Sequence, residues 1–219
     1  ELNSAAWENG PYVKEEEFAR AVALGLFDYL RKSRSRGFVV SISGGVDSAT
    51  VTVLSALLIR LGCDELGLPG FLEKLSYIPG LKDAAQPQEV VRRLLTCAYQ
   101  ATRNSSATTW EAAHAVAEAV GAQCYRFEVD ELVQNYVSVV SQAIGRPLTW
   151  EQDDVALQNI QARVRAPSVW LLANLQGALL LSTSNRSEAA VGYATMDGDT
   201  CGGLSPIAGI DKAFLRRWL

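Results

Sequence analysis

Six residues gather the chain's most suggestive chemistry: Ser43-Gly44-Gly45-Val46-Asp47-Ser48. Adjacent glycines let backbone amides approach an anion with no Cβ in the way. Two serine hydroxyls add donors, and a helix opening at once supplies unpaired N–H groups and a partial positive charge. The stretch is built as a phosphate cradle. It is not a Walker loop, since no Gly-Lys-Ser/Thr closes it, and GxGxxG is absent. Asp47 stands where phosphates would lie. A carboxylate beside a phosphate is repulsive unless a divalent cation bridges them, so Asp47 implies Mg²⁺. The plainer alternative is a Gly-Gly turn with Asp47 as a helix cap; the whole hexapeptide between strand and helix favours phosphate.

Positioning this turn requires a strand before it and a helix after it. Residues 38–42 are β-branched or aromatic apart from Ser41 and read as a buried strand. Residues 48–61 read as a helix stopped by Gly62 at C′. Upstream, Phe18, Val22, Leu26, Phe27 and Leu30 give a helix over 15–34, with Gly37 as its stop. Residues 63–90 are punctuated by glycine and proline and read as an inserted arm with short helical pieces.

Beyond the arm, residues 94–99 predict a strand. Thr108 and Glu111 predict a capping box for a helix to Val120, and residues 124–129 a further strand. Asp130 caps a helix to about Ala143. Thr149 and Gln152 cap another through Arg165, broken or kinked at Pro167. A helix over 168–176 and an apolar strand over 178–182 follow. This alternation predicts an α/β fold: an open, mostly parallel sheet with helices on both faces and right-handed crossovers. Its ligand crevice lies at the carboxyl ends of the strands, where residues 43–48 sit.

The last strand leads into "STSNRSE", a second polar loop at the same crevice edge. Thr183 can donate to a nucleotide there, and Glu188 joins Asp47 as a second carboxylate for one Mg²⁺. Arg163 and Arg165 lie two apart on a helix and diverge, so that one can grip a phosphate while the other faces elsewhere.

Composition narrows the classes. The 219 residues are 48% hydrophobic, enough for one domain with a sizeable core. Net charge is −4, so no basic field points to nucleic acid or an anionic membrane. The local run "RKSRSR" reads as a solvated helix end. Four cysteines without a CxxC pair, and one histidine, His114, argue against zinc and fit a reducing, cytoplasmic setting. No apolar run reaches the length of a bilayer span. The chain does not begin with Met and stops inside an apparent helix, as would a piece of something longer.

"SGGVDS" resembles the signature loop of the ATP pyrophosphatase superfamily, with its adenine nucleotide alpha-hydrolase-like fold. Members grip the pyrophosphate of ATP and release it on transferring AMP. "QNIQARVR" (158–165) and "STSNRSEAAVGYATMDGDTCGGLSPIAGIDK" (182–212) are similar to the matching segments of NAD synthetases, especially the glutamine-dependent type. That resemblance implies roles. Ser41, Ile42, Ser43, Gly44, Gly45, Val46, Asp47, Ser48, Thr183 and Lys212 would bind ATP. Asn159, Arg163, Glu188, Tyr193, Ala194, Thr195 and Met196 would meet deamido-NAD. Asp47, Glu188 and Lys212 would serve catalysis, with Mg²⁺ on the two acids. Met196 and Asp197 depart from the family's usual residues.

The implied reaction joins nicotinic acid adenine dinucleotide, ATP and ammonia into NAD, AMP and pyrophosphate. Ammonia would come from glutamine through an N-terminal glutaminase domain that these residues do not offer. Residues 1–37 would then be linker and helix, and 38–219 a synthetase domain cut short at its C-terminus. A homodimer through residues 130–175 is also implied. The rivals are another amide ligase of the superfamily, such as a GMP synthetase, and an inactive nucleotide-binding fragment.

Overall fold

A computed structural model describes residues 5–219; the first residues of the expected linker lie outside them. Four strands form one parallel sheet in the order β3-β2-β1-β4: β1 (Phe38–Ser41), β2 (Leu95–Ala101), β3 (Gln123–Glu128) and β4 (Leu179–Leu181). Phe38 pairs with Leu95 on one side and Leu179 on the other, so β1 is central. Period-two alternation divides its side chains. Phe38, Val40 and Ile42 face the layer made by α2 (Val46–Lys74) and α4 (Ala107–Val120). Val39 faces α7 (Arg165–Gln176), packing with Ala98, Leu180, Val169 and Ala173. Helices on both faces of a parallel sheet are the expected architecture.

Helix α1 (Val13–Ser33) closes with Arg34 at φ 58, so its stop precedes Gly37. It packs on α2, and the C-terminal helix α9 (Lys212–Trp218) packs on it in turn. Phe18 meets Phe214 and Trp218 edge-on at 5.2 and 5.3 Å, and Trp218 Nε1 donates to the Glu15 carbonyl at 3.2 Å.

Residues 63–90 are more regular than their punctuation suggests. Helix α2 runs through Gly62 and breaks only at Gly67, where φ 68 and ψ 155 suit glycine. The Phe71 ring lies where a Cβ on Gly62 would stand, at 2.5 Å, so Gly62 serves close packing rather than termination. Pro69 sits early in the piece that follows, and α3 (Pro87–Leu94) ends the segment. Phe71, Leu75, Leu81 and Val90 are fully buried in the main core. Each contributes about 1.5–3 kcal/mol by burial, which explains why the segment is ordered into the body. By length and composition α2 could cross a membrane, with a mean hydropathy of 1.5, but 56% of that window is buried within the protein.

The caps also differ from expectation. Ser106, not Thr108, caps α4, accepting from Thr109 N at 3.2 Å. Asp130 opens α5 (Asp130–Ile144) without capping it. Its carboxylate is occupied by the Arg103 backbone N–H and guanidinium, which hold it below the usual carboxylate range. Helix α6 begins later than Thr149 implies, at Asp154, and ends at Arg163. Residues 149–153 instead fold into a turn in which Asp153 accepts from Thr149 N at 3.0 Å and pairs with Arg146 at 2.8 Å. The break before α7 falls at Val164 because Pro167, three residues on, has no N–H for the Arg163 carbonyl and its ring crowds that group.

Candidate active site

The site begins where β1 leaves the sheet. Ile42 N donates to Ala98 O at 2.9 Å, a last rung before the turn. Gly44 then adopts φ +80, and a Cβ there would stand 2.5 Å from the Thr109 carbonyl oxygen, so only glycine fits. The serines brace the turn from within. Ser43 N donates to Ser48 Oγ at 3.1 Å, Ser48 Oγ donates to Gly45 O at 3.1 Å, and Gly45 N donates to Ser43 Oγ at 3.3 Å. Gly45 is the N-cap of α2, and among the described residues no side chain caps that terminus. Asp47 is therefore not a helix cap, and the first N–H groups of α2 are left for another acceptor.

Asp47 turns towards the loop after β4. Its Oδ1 accepts from Asn185 Nδ2 at 3.0 Å, and its Oδ2 lies 2.7 Å from Lys212 Nζ. The same ammonium is 3.2 Å from Glu188 Oε1. The three groups named from sequence thus share one cluster, from three separate elements. Two caps aim it. Asn185 caps α8 (Arg186–Val191), accepting from Glu188 N at 3.0 Å. Asp211 caps α9, accepting from Phe214 N at 2.9 Å, and sets Lys212 as that helix's first residue. Lys212 N also donates to Ser187 Oγ at 3.1 Å. The hydrogen bond to Asp47, helped by Glu188, raises the Lys212 pKa above its ordinary 10.5 against the opposing effect of burial. Two carboxylates against one ammonium leave excess negative charge.

Beside this cluster lies a cleft of about 320 Å³. Ser41, Ile42, Ser43 and Thr183, four of the positions assigned to ATP from the sequence, line it; Tyr99, Gln100, Asn104, Thr109, Arg165 and Asp199 line it too. Of the two diverging arginines, Arg165 faces this cleft. Arg163 Nε instead donates to Met196 O at 3.0 Å, and Asn159 Oδ1 accepts from Thr195 Oγ1 at 3.2 Å. Asn159, Arg163, Thr195 and Met196 therefore form one neighbourhood, bordering a second hollow near Trp170 and Asp197. Tyr193 is exposed and Ala194 half-buried beside it. Among the described residues no group of three or more His, Cys, Asp or Glu forms a metal cluster.

Asn185 and Gln100 were not singled out from sequence. Both carried a signal: "NRSE" has the spacing of a capping box, and Gln100 is a polar residue in an otherwise largely apolar strand.

Comparisons with known proteins show the family. A family model described as NAD synthase matches residues 18–217. Glutamine-dependent NAD(+) synthetase of Bos taurus is 31% identical over 227 residues, covering 93% of this chain and 31% of its own length. The crystal structure of a glutamine-dependent NAD(+) synthetase from Cytophaga hutchinsonii superposes with TM-score 0.88 at 51% identity, covering 94% of this chain and 37% of that one. The structure of a glutamine-dependent NAD+ synthetase from Acinetobacter baumannii in complex with ADP matches in fold with TM-score 0.71 at 23% identity, over 93% of this chain and 32% of that one. This chain thus spans about a third of the length of the relatives it matches. The chain belongs to the NAD synthase family.

Proposed function

We propose that this chain is the synthetase portion of a glutamine-dependent NAD synthetase. It would condense nicotinic acid adenine dinucleotide, ATP and ammonia to NAD, AMP and pyrophosphate. The observation that carries the reading is the convergence of Asp47, Glu188 and Lys212 beside a glycine turn whose helix N-terminus is uncapped.

The turn amides and the start of α2 would hold the ATP phosphates. Lys212 would stabilise charge building on the departing pyrophosphate, and Arg165 offers the cleft a second cation. A carboxylate resists ammonia because its charge repels a nucleophile and oxide is a poor leaving group. The nicotinate carboxylate oxygen would therefore attack the α-phosphorus, forming a P–O bond as the bond to pyrophosphate breaks. Ammonia would then form the C–N bond at the acyl carbon, AMP would leave with the C–O electrons, and one of ammonia's three protons would pass to solvent. Asn159, Arg163, Thr195 and Met196 would position the dinucleotide, and Tyr193 and Ala194 would flank its nicotinate end.

Mg²⁺ fits the residues present. Asp47 and Glu188 supply two hard carboxylates within reach of one small ion, and their excess negative charge would otherwise oppose a triphosphate. Bound with ATP, the ion would supply charge neutralisation on the phosphates.

The nitrogen would come from glutamine through a glutaminase unit outside this chain. Four free cysteines fit a cytoplasmic setting. Tyr136, Val139 and Ile144 on α5, and Leu171 and Leu175 on α7, are exposed apolar side chains, which supports a homodimer through residues 130–175.

The test is NAD formation from ATP, deamido-NAD and ammonium, with titration calorimetry of deamido-NAD against XMP. Turnover with deamido-NAD binding is expected; binding of XMP alone would point to a GMP synthetase, and neither binding nor turnover to an inactive fragment.

A further inference from the structure

Gln100 lies on β2, 5% exposed, on the lining of the cleft. Its Oε1 accepts a hydrogen bond from Ser41 Oγ at 2.9 Å. Its Nε2 is buried and has no partner among the described residues. An amide donor buried without an acceptor is costly, and such groups are rare. With Ser41 Oγ donating to the oxygen, Nε2 is the end of the amide left free. Gln100 shares the α7-facing side of β2 with Ala98, the strand neighbour of Ser41.

The place of Gln100 in the sheet says what it meets. The order β3-β2-β1-β4 sets the phosphate turn after β1 and the Asp47–Glu188–Lys212 cluster towards β4. Gln100, on β2, is on the other side of β1 from that cluster. On its side of the sheet the cleft is also lined by Ala166 and Val169 of α7, apolar surface suited to a flat ring. A neutral donor among apolar walls suits a neutral ring acceptor better than a phosphate.

We propose that Gln100, oriented by Ser41, reads the base of the nucleotide: its free Nε2 donates to a ring nitrogen of the adenine of ATP. This rests on the reading that the cleft takes ATP. The cleft would discriminate because a base without an acceptor there leaves the donor buried and unpaired, a mismatch that polar sites reject strongly.

The test measures ATP affinity calorimetrically on the whole chain. With the unaltered protein, the deaza analogues that replace one adenine ring nitrogen by carbon are compared with ATP. One of them should bind about 10- to 100-fold more weakly, the loss of one buried hydrogen bond. Gln100→Met keeps the side chain's length and removes the donor. It should bind ATP more weakly by a similar factor and no longer distinguish that analogue. Its melting temperature without nucleotide should be unchanged or higher, because an orphan donor has been removed; a purely structural glutamine would lower it. Deamido-NAD affinity should hold. Equal binding of every deaza analogue would overturn the proposal, as would a Gln100→Met protein that loses deamido-NAD affinity alone. Should the unaltered protein make NAD while these analogues bind as ATP does, this inference fails and the proposed function stands.

Discussion

Asn185 donates from Nδ2 to Asp47 Oδ1 at 3.0 Å, joining the two candidate phosphate-handling loops across 138 positions of sequence. The same side chain's Oδ1 caps α8 by accepting from Glu188 N. One amide therefore fixes both acids of the cluster.

Asn185→Ala should lower stability by about 1 kcal/mol for the lost cap. It should also raise the KM for ATP by freeing Asp47. Asn185→Ser separates the effects: it keeps a capping oxygen but is too short to donate to Asp47. Melting temperature should recover while the KM for ATP stays high. Recovery of both would mean the Asp47 contact is incidental.

Lys212→Met should lower pyrophosphate release by about a hundredfold, on the scale of removing one preorganised donor. Its pH signature has a definite sign. The folded-state pKa is raised above the ordinary 10.5 by Asp47 first and Glu188 next. The stability it contributes is present below 10.5 and lost as pH rises through the folded value. The difference in unfolding free energy between the parent and Lys212→Met should therefore shrink above pH 10.5, and a constant difference would contradict the pairing.

The turn, the sheet, Asp47 and Glu188 were legible because each has a local cause, whereas Lys212 followed only from the resemblance of residues 182–212 to NAD synthetases. Apolar β-branched runs make buried strands, and glycines beside hydroxyls make an anion turn. What stayed hidden depended on partners distant in sequence. Thr108, Asp130 and Thr149 all look like caps, but Ser106, Arg103 and the Arg146–Asp153 pair decide those termini. The helical order of residues 63–90 comes from burial of Phe71 and Leu75, which outweighs local breakers. Neither the unpaired end of Gln100 nor the choice of Arg165 over Arg163 for the cleft follows from helix or strand period alone.

Gly44→Ala tests the turn. At φ +80 a side chain costs about 1–3 kcal/mol in backbone strain, and here the new Cβ also meets the Thr109 carbonyl oxygen at 2.5 Å. The loop must shift, so denaturant midpoints should fall and ATP affinity should fall with them. An alanine variant of parental stability and affinity would show that the turn is not held as described.

Arg146 and Asp153 brace the turn that delivers α6, and so Asn159 and Arg163, to the site. The guanidinium and the Thr149 N–H lower the Asp153 pKa from 3.8 to about 2. A depressed carboxyl contributes stability above its unfolded value and loses it as pH falls through the folded one. The parent and Asp153→Asn should differ in melting temperature near neutral pH and converge between pH 3.8 and about 2. A gap that persists through that window would remove the ion pair as its cause.

The central claim is that the turn, Asp47, Glu188 and Lys212 activate a carboxylate by transferring AMP to it. ATP–pyrophosphate exchange without any nitrogen source isolates that step. The account predicts exchange that requires both deamido-NAD and Mg²⁺ and falls by about a hundredfold in Asp47→Asn and Lys212→Met. Exchange that proceeds without deamido-NAD, or that is undiminished by loss of Lys212, would contradict it.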